Sequence, residues 1–102
     1  MTSNLHGDLS PDQIVVTDRT AVLLDLDRAA VGPAGWDGAQ WMVAQLATAA
    51  PALPPLDRAA PALVLAAALQ RAPEPFRRLH ADWVQRTDAV LAAAEAAAGQ
   101  LA

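Results

Sequence analysis

The chain has 102 residues, 54% of them hydrophobic and many of those alanine, with a formal charge of −4; a domain of this size buries only about 65% of the surface its unfolded form exposes, so its core is modest. The acidic balance and the scatter of its seven basic residues, all arginine, exclude a nucleic-acid surface, which needs concentrated positive charge. With no cysteine there is neither a disulfide framework nor a thiolate zinc site.

The N-terminus carries His6, Asp8 and Asp12 where an export signal would need a continuous apolar run after positive charge. The longest apolar run, 59–69, includes Pro61 and is half of the ~20 residues that cross a bilayer. A cytoplasmic protein with no membrane partner is the expectation.

Residues 1–13 read as a loop built around His6 Gly7 Asp8 Leu9 Ser10 Pro11 Asp12 Gln13. An aspartate on a rigid loop can orient an attacking hydroxyl and accept its proton late in a phosphoryl transfer. Asp8 is a candidate for such a role, with Gly7 able to turn the chain tightly and His6 able to hold the backbone by hydrogen bonds.

Residues 14–25 read as a β-hairpin: Ile14 Val15 Val16 and Ala21 Val22 Leu23 Leu24 are apolar runs separated by the polar stretch 17–20. A turn centred on Arg19 sets Val16 against Val22, Ile14 against Leu24 and Gln13 against Asp25. Opposed residues share a face of the ladder, so Gln13 and Asp25 would offer two hard oxygen ligands to one magnesium ion. A register change of one residue would send one of them to the other face.

Gly32, Pro33 and Gly35 interrupt the chain before a helix expected from about Trp36 to Ala49, stopped by Pro51 and the Pro54 Pro55 pair. Apolar positions surround this helix, which places it between neighbours. A second helix is expected from about Ala60 to Arg71, with Pro61 in its first turn, where a missing N–H leaves no bond unmade. A helical turn from Pro75 to His80 follows. The last helix is amphipathic, with Asp82 as its N-cap, Gln85 as capping-box partner and Trp83, Thr87, Val90, Ala94, Ala97 and Leu101 on its apolar stripe. The three tryptophans, Trp36, Trp41 and Trp83, read as core anchors, and Arg77 and Arg78 as a solvated face.

Taken together, the His6 Gly7 Asp8 triplet, Gln13 five residues after Asp8, Asp25 Leu26 Asp27 and the Val31–Asp37 turn resemble the C-terminal lobe of the aminoglycoside and choline phosphotransferase family, small-molecule relatives of protein kinases. The likeness runs from His6 to Asp37. It implies an α+β fold: a partial kinase-like C-terminal lobe, one β-hairpin followed by three to four helices, with residues 36–102 as the helical part of a single partial domain. It also implies Asp8 as catalytic base with His6 beside it, Gln13 in place of the family's metal-binding asparagine, Asp25 as second metal ligand, and Asp37 ordering the catalytic loop. ATP and Mg2+ are the implied cofactors and a small-molecule hydroxyl the implied acceptor.

Only five residues precede His6 and the chain has no lysine, so the nucleotide-clamping lobe is expected from a separate polypeptide, or else the chain is a truncated product, inactive alone. The alternative is a non-catalytic helical interaction module derived from a kinase lobe, working as a homodimer or in a partner complex. Asp27 and Arg28 read as a surface ion pair or, under the resemblance, as a further ligand and a phosphate contact.

Overall fold

The computed structural model describes residues 1–47 and 59–101. The fold is α+β. Among the described residues, four short strands, β1 (Thr2–Leu5), β2 (Ile14–Val16), β3 (Ala21–Leu23) and β4 (Ala30–Pro33), precede four α-helices, α1 (Trp36–Ala47), α2 (Pro61–Arg71), α3 (Glu74–Arg77) and α4 (Trp83–Gly99). No helix among the described residues is long and apolar enough to cross a membrane.

The expected hairpin is present as the antiparallel β2–β3 pair, but its register differs by one residue. Ile14 pairs with Leu23, Val15 with Val22 and Val16 with Ala21. The turn is centred between Asp18 and Arg19, not on Arg19, and Thr17 closes it by donating its N–H to Thr20 O at 2.8 Å and its hydroxyl to the same oxygen at 3.3 Å. Neither central residue has a positive φ, so the threonine hydroxyl supports a turn that contains no glycine. Shifting the turn centre by half a residue shifts every pair. Gln13 therefore lies level with Leu24, whose N–H donates to Gln13 O at 2.7 Å, and Asp25 does not stand opposite Gln13.

A second ladder was not legible. β1 pairs antiparallel with β4, Leu5 with Ala30 and Thr2 with Pro33. β1 is Thr-Ser-Asn-Leu, without apolar alternation, and β4 carries the Gly32 Pro33 pair that reads as a break. This ladder delivers the chain into His6 at one end and into α1 at the other.

The core is helical. α2 packs against α1 and α4, and α1 also touches α4. Its apolar centre comprises Ala39, Val43 and Ala47 from α1, Val64, Ala67 and Ala68 from α2, and Val90, Ala94 and Ala97 from α4. On α2 the buried positions 64, 67, 68 and 71 recur at helical spacing, so Arg71 ends the buried stripe. α1 starts and α2 runs as expected; the end expected for the first helix, with Pro51, Pro54 and Pro55, lies outside the described residues. The helical turn expected over 75–80 is α3, one residue earlier.

Two expectations for α4 fail. Asp82 stands at its N-cap position, but no side-chain cap bond forms: the carboxylate accepts from Arg86 Nε at 2.5 Å instead, a charge-assisted bond that outcompetes a backbone amide. Trp83 is 41% exposed and Leu101 54% exposed, so the buried stripe is confined to Val90, Ala94 and Ala97. Trp83 meets Phe76 of α3 edge to face, ring centroids 5.2 Å apart, and is a surface aromatic pair rather than a core anchor. Trp41 is buried and Trp36 half-buried.

Candidate functional site at the His6–Gly7–Asp8 loop

The loop that leaves β1 is fixed on both sides. From the hairpin side, His6 Nε2 lies 2.7 Å from Leu24 O; a carbonyl only accepts, so Nε2 carries the proton. Nδ1 then accepts the Asp8 N–H at 3.2 Å. His6 is buried and both ring nitrogens bond backbone groups, one in the loop and one at the hairpin, which makes it a backbone brace. From the helix side, Asp37 in the first turn of α1 accepts the His6 N–H at 2.8 Å and the Gly7 N–H at 3.0 Å. Trp36 Nε1 donates to Gly7 O at 3.1 Å.

Gly7 has φ +94, and a Cβ there would lie 2.2 Å from Arg28 O. Only glycine fits, because the obstacle is backbone and the conformation is one that L side chains avoid. The loop is thus pressed between Arg28 and α1, and Asp8 emerges from it with a side chain 39% exposed.

One oxygen of Asp8 is already engaged. Arg71 Nη2 donates to Asp8 Oδ1 at 2.8 Å and to Leu9 O at 3.4 Å. Arg71 Nη1 lies 3.1 and 3.3 Å from the two Glu74 oxygens, and its Nε donates to Gln40 Oε1. Gln40, fully buried on α1, donates in turn to Gln70 Oε1 at 2.5 Å. Arg71, Gln40 and Glu74 are absent from the sequence reading, where Arg71 marked only a helix end. The available signal was its spacing of seven residues from Val64, which puts a cation on a buried face and demands acidic partners.

The remaining expected residues are less tightly drawn together. Gln13 ends the 3-10 turn Pro11–Gln13 and is half-buried. Asp25 is exposed and adopts φ +57, a left-handed conformation that aspartate tolerates better than most residues and that tends to occur at functional sites. Both lie at the open end of the hairpin. No cluster of three or more His, Asp or Glu residues among those described could cage a metal, and the one-residue register shift takes Asp25 off the position opposite Gln13 from which the pair would have faced one cation. No ion pair between Asp27 and Arg28 is formed among the described residues.

Beside the loop, Ser10 donates to Asp12 Oδ1, and Arg78 Nη1 lies 3.4 Å from Asp12 Oδ2. Partial burial acts to raise the Asp12 carboxyl, but the Ser10 hydroxyl and the Arg78 guanidinium together outweigh it and hold the group below its ordinary value. Behind the loop is an open cavity of about 540 Å³, lined by Leu5, Gly7, Arg28, Trp36, Leu63 and Gln70 among others. Asp8 is not among the residues that line it.

Comparison of the chain with protein-family models, with curated proteins and with solved structures gives no match.

Proposed function

We propose that the chain supplies the catalytic-loop part of an ATP-dependent phosphotransferase acting on a small-molecule hydroxyl, as its likeness to the aminoglycoside and choline phosphotransferases implies. The observation that carries this reading is the His6–Gly7–Asp8 loop, whose backbone is braced by His6, Trp36 and Asp37 while the Asp8 side chain stays 39% exposed with only Oδ1 engaged by Arg71. In the reaction the acceptor oxygen bonds to the γ-phosphorus, the bond from that phosphorus to the bridging oxygen breaks with its electron pair leaving on ADP, and the hydroxyl proton passes to Asp8. The likeness, not the ladder register, names Gln13 and Asp25 as the residues that would hold magnesium, which when bound would neutralise charge on the nucleotide phosphates. The nucleotide-binding lobe with its lysine comes from outside residues 1–102, as a second polypeptide or further chain.

The test is ADP release from MgATP with a panel of small hydroxyl compounds, by the chain alone and together with a polypeptide bearing a glycine-rich strand and a lysine. The expected result is turnover only in the mixture, reduced at least a thousandfold by Asp8→Asn. Turnover that survives that substitution overturns the reading. Calorimetric titration with Mg2+ should likewise distinguish wild type from Asp25→Ala; identical isotherms remove Asp25 from the metal site.

A second reading, an interaction module without chemistry, is favoured by one observation. The hairpin and the segment after it expose Val15, Val16, Val22, Leu23, Leu24 and Leu26, and exposed apolar side chains gathered in one region mark interaction surfaces. That reading requires a dimer or complex, and a well-folded monomer in sedimentation at micromolar concentration counts against it.

A further inference from the structure

We infer that Arg71 is the positioning residue of Asp8: a buried guanidinium that takes up one oxygen of the acid and aims the other at the acceptor hydroxyl. The inference rests on the proposed role of Asp8 as proton acceptor and goes beyond it, because Arg71 comes from α2, sixty-three residues downstream of the loop and outside the stretch that carries the resemblance.

The argument starts from burial. The Arg71 side chain is 3% exposed whereas that of Asp8 is 39% exposed. A buried cation is costly unless its donors are satisfied, and here every guanidinium nitrogen has a partner. Nε serves Gln40, Nη1 serves Glu74, and Nη2 serves Asp8 Oδ1 and Leu9 O. The planar fork fixes these directions relative to one another, so the Gln40 and Glu74 contacts determine where Nη2 points. Gln40 is itself oriented, since its amide nitrogen donates to Gln70 and only its oxygen is left to face Arg71. Asp8 Oδ1 is consequently held from a framework of three helices, and Oδ2 has no protein donor within hydrogen-bonding distance among the bonds described. A free second oxygen on an otherwise immobilised carboxylate is what proton acceptance requires.

Lysine at this position would retain the charge but not the fork, and loss of aim by about 1 Å can lower a rate roughly a hundredfold. In the phosphotransfer assay above, Arg71→Lys is therefore expected to lower kcat about 30- to 100-fold with the acceptor KM within about twofold. Glu74→Gln, which loosens the fork from its more accessible side, is expected to lower kcat a few-fold and serves as the milder variant should Arg71→Lys fold poorly, as judged by its circular dichroism and melting curve. The Asp8→Asn/Arg71→Lys double variant should be no slower than Asp8→Asn alone, because a residue acting only through Asp8 has nothing left to act on.

Full kcat in both Arg71→Lys and Glu74→Gln, with Asp8→Asn inactive, overturns the inference and leaves the phosphotransferase reading standing. Losses that multiply in the double variant also overturn it and assign Arg71 a purely structural role. Activity that survives Asp8→Asn, or no turnover from the wild type, fails the underlying reading and this inference with it.

Discussion

Removing the Asp37 carboxylate tests how the loop is held. Its two oxygens accept from the amides of His6 and Gly7 at 2.8 and 3.0 Å, and hydrogen bonds to a charged group contribute about 1.5–3 kcal/mol each. Because Asp37 is only half-buried, the lower end applies, and Asp37→Ala should destabilise the chain by about 3 kcal/mol. Asp37→Asn retains one neutral bond worth about 1 kcal/mol and turns an N–H toward a second donor, so its loss is about 2 kcal/mol. For a domain of this size each kcal/mol moves the midpoint by roughly 4–8 °C, which predicts a fall in Tm of roughly 8–16 °C for the asparagine variant. Thermal melts followed by circular dichroism provide the number, and hydrogen exchange provides the location. The His6 and Gly7 amides should lose protection about 30-fold, the factor that 2 kcal/mol represents, while amides in the middle of α4 change only with global stability. Asp37→Ala melting within about 2 °C of wild type, or unchanged exchange at His6 and Gly7, would refute the reasoning.

Gly7→Ala must place a methyl 2.2 Å from Arg28 O at φ +94, which should destabilise by about 3 kcal/mol or more in urea unfolding; an unchanged midpoint would mean that the loop can retreat from Arg28. Val90→Ala removes a side chain with no exposure from the helical core and should cost about 2–3 kcal/mol with an unaltered urea slope. The Asp12 carboxyl is held below its ordinary value in the folded chain, so its contribution is present above the unfolded value near pH 4 and is lost as pH falls through the folded one. Asp12→Asn should therefore flatten the dependence of the urea midpoint on pH below about 4, and an equal acid-side slope in both proteins would refute the pairing with Ser10 and Arg78.

What the sequence discloses here is mostly local. The His6–Asp8 loop, the hairpin, and the starts of α1 and α2 depend on contiguous residues and turn chemistry, and they form where expected. The hairpin register turned on half a residue: a turn centred on Arg19 and one centred between Asp18 and Arg19 have the same composition, and only the Thr17–Thr20 closure separates them. The β1–β4 ladder was hidden because its first strand is polar and exposed and its stability comes from being tied to the loop and to α1. Asp82 misled because two partners competed for one carboxylate, and Arg86 on the next turn took it. Arg71 was the costliest omission. Its burial was implied by the 64, 67, 68, 71 spacing, but its pairing with Asp8 joins distant parts of the chain and follows from tertiary structure alone.

The abundant alanine has a consequence for the acid. Ala39 beside Gln40, and Ala67 and Ala68 ahead of Arg71, are wholly buried in the core that α1, α2 and α4 share, and single methyl groups let helices approach closely. Gln40 spans the resulting gap to reach both Gln70 and Arg71, and neither a carboxamide nor a guanidinium can lengthen. The separation of two helices thereby works as a gauge for a carboxylate that neither of them carries. Leucine at any of those three alanines would have to part packed helices, and would strain the contacts that hold Asp8 without altering a single residue of its own loop.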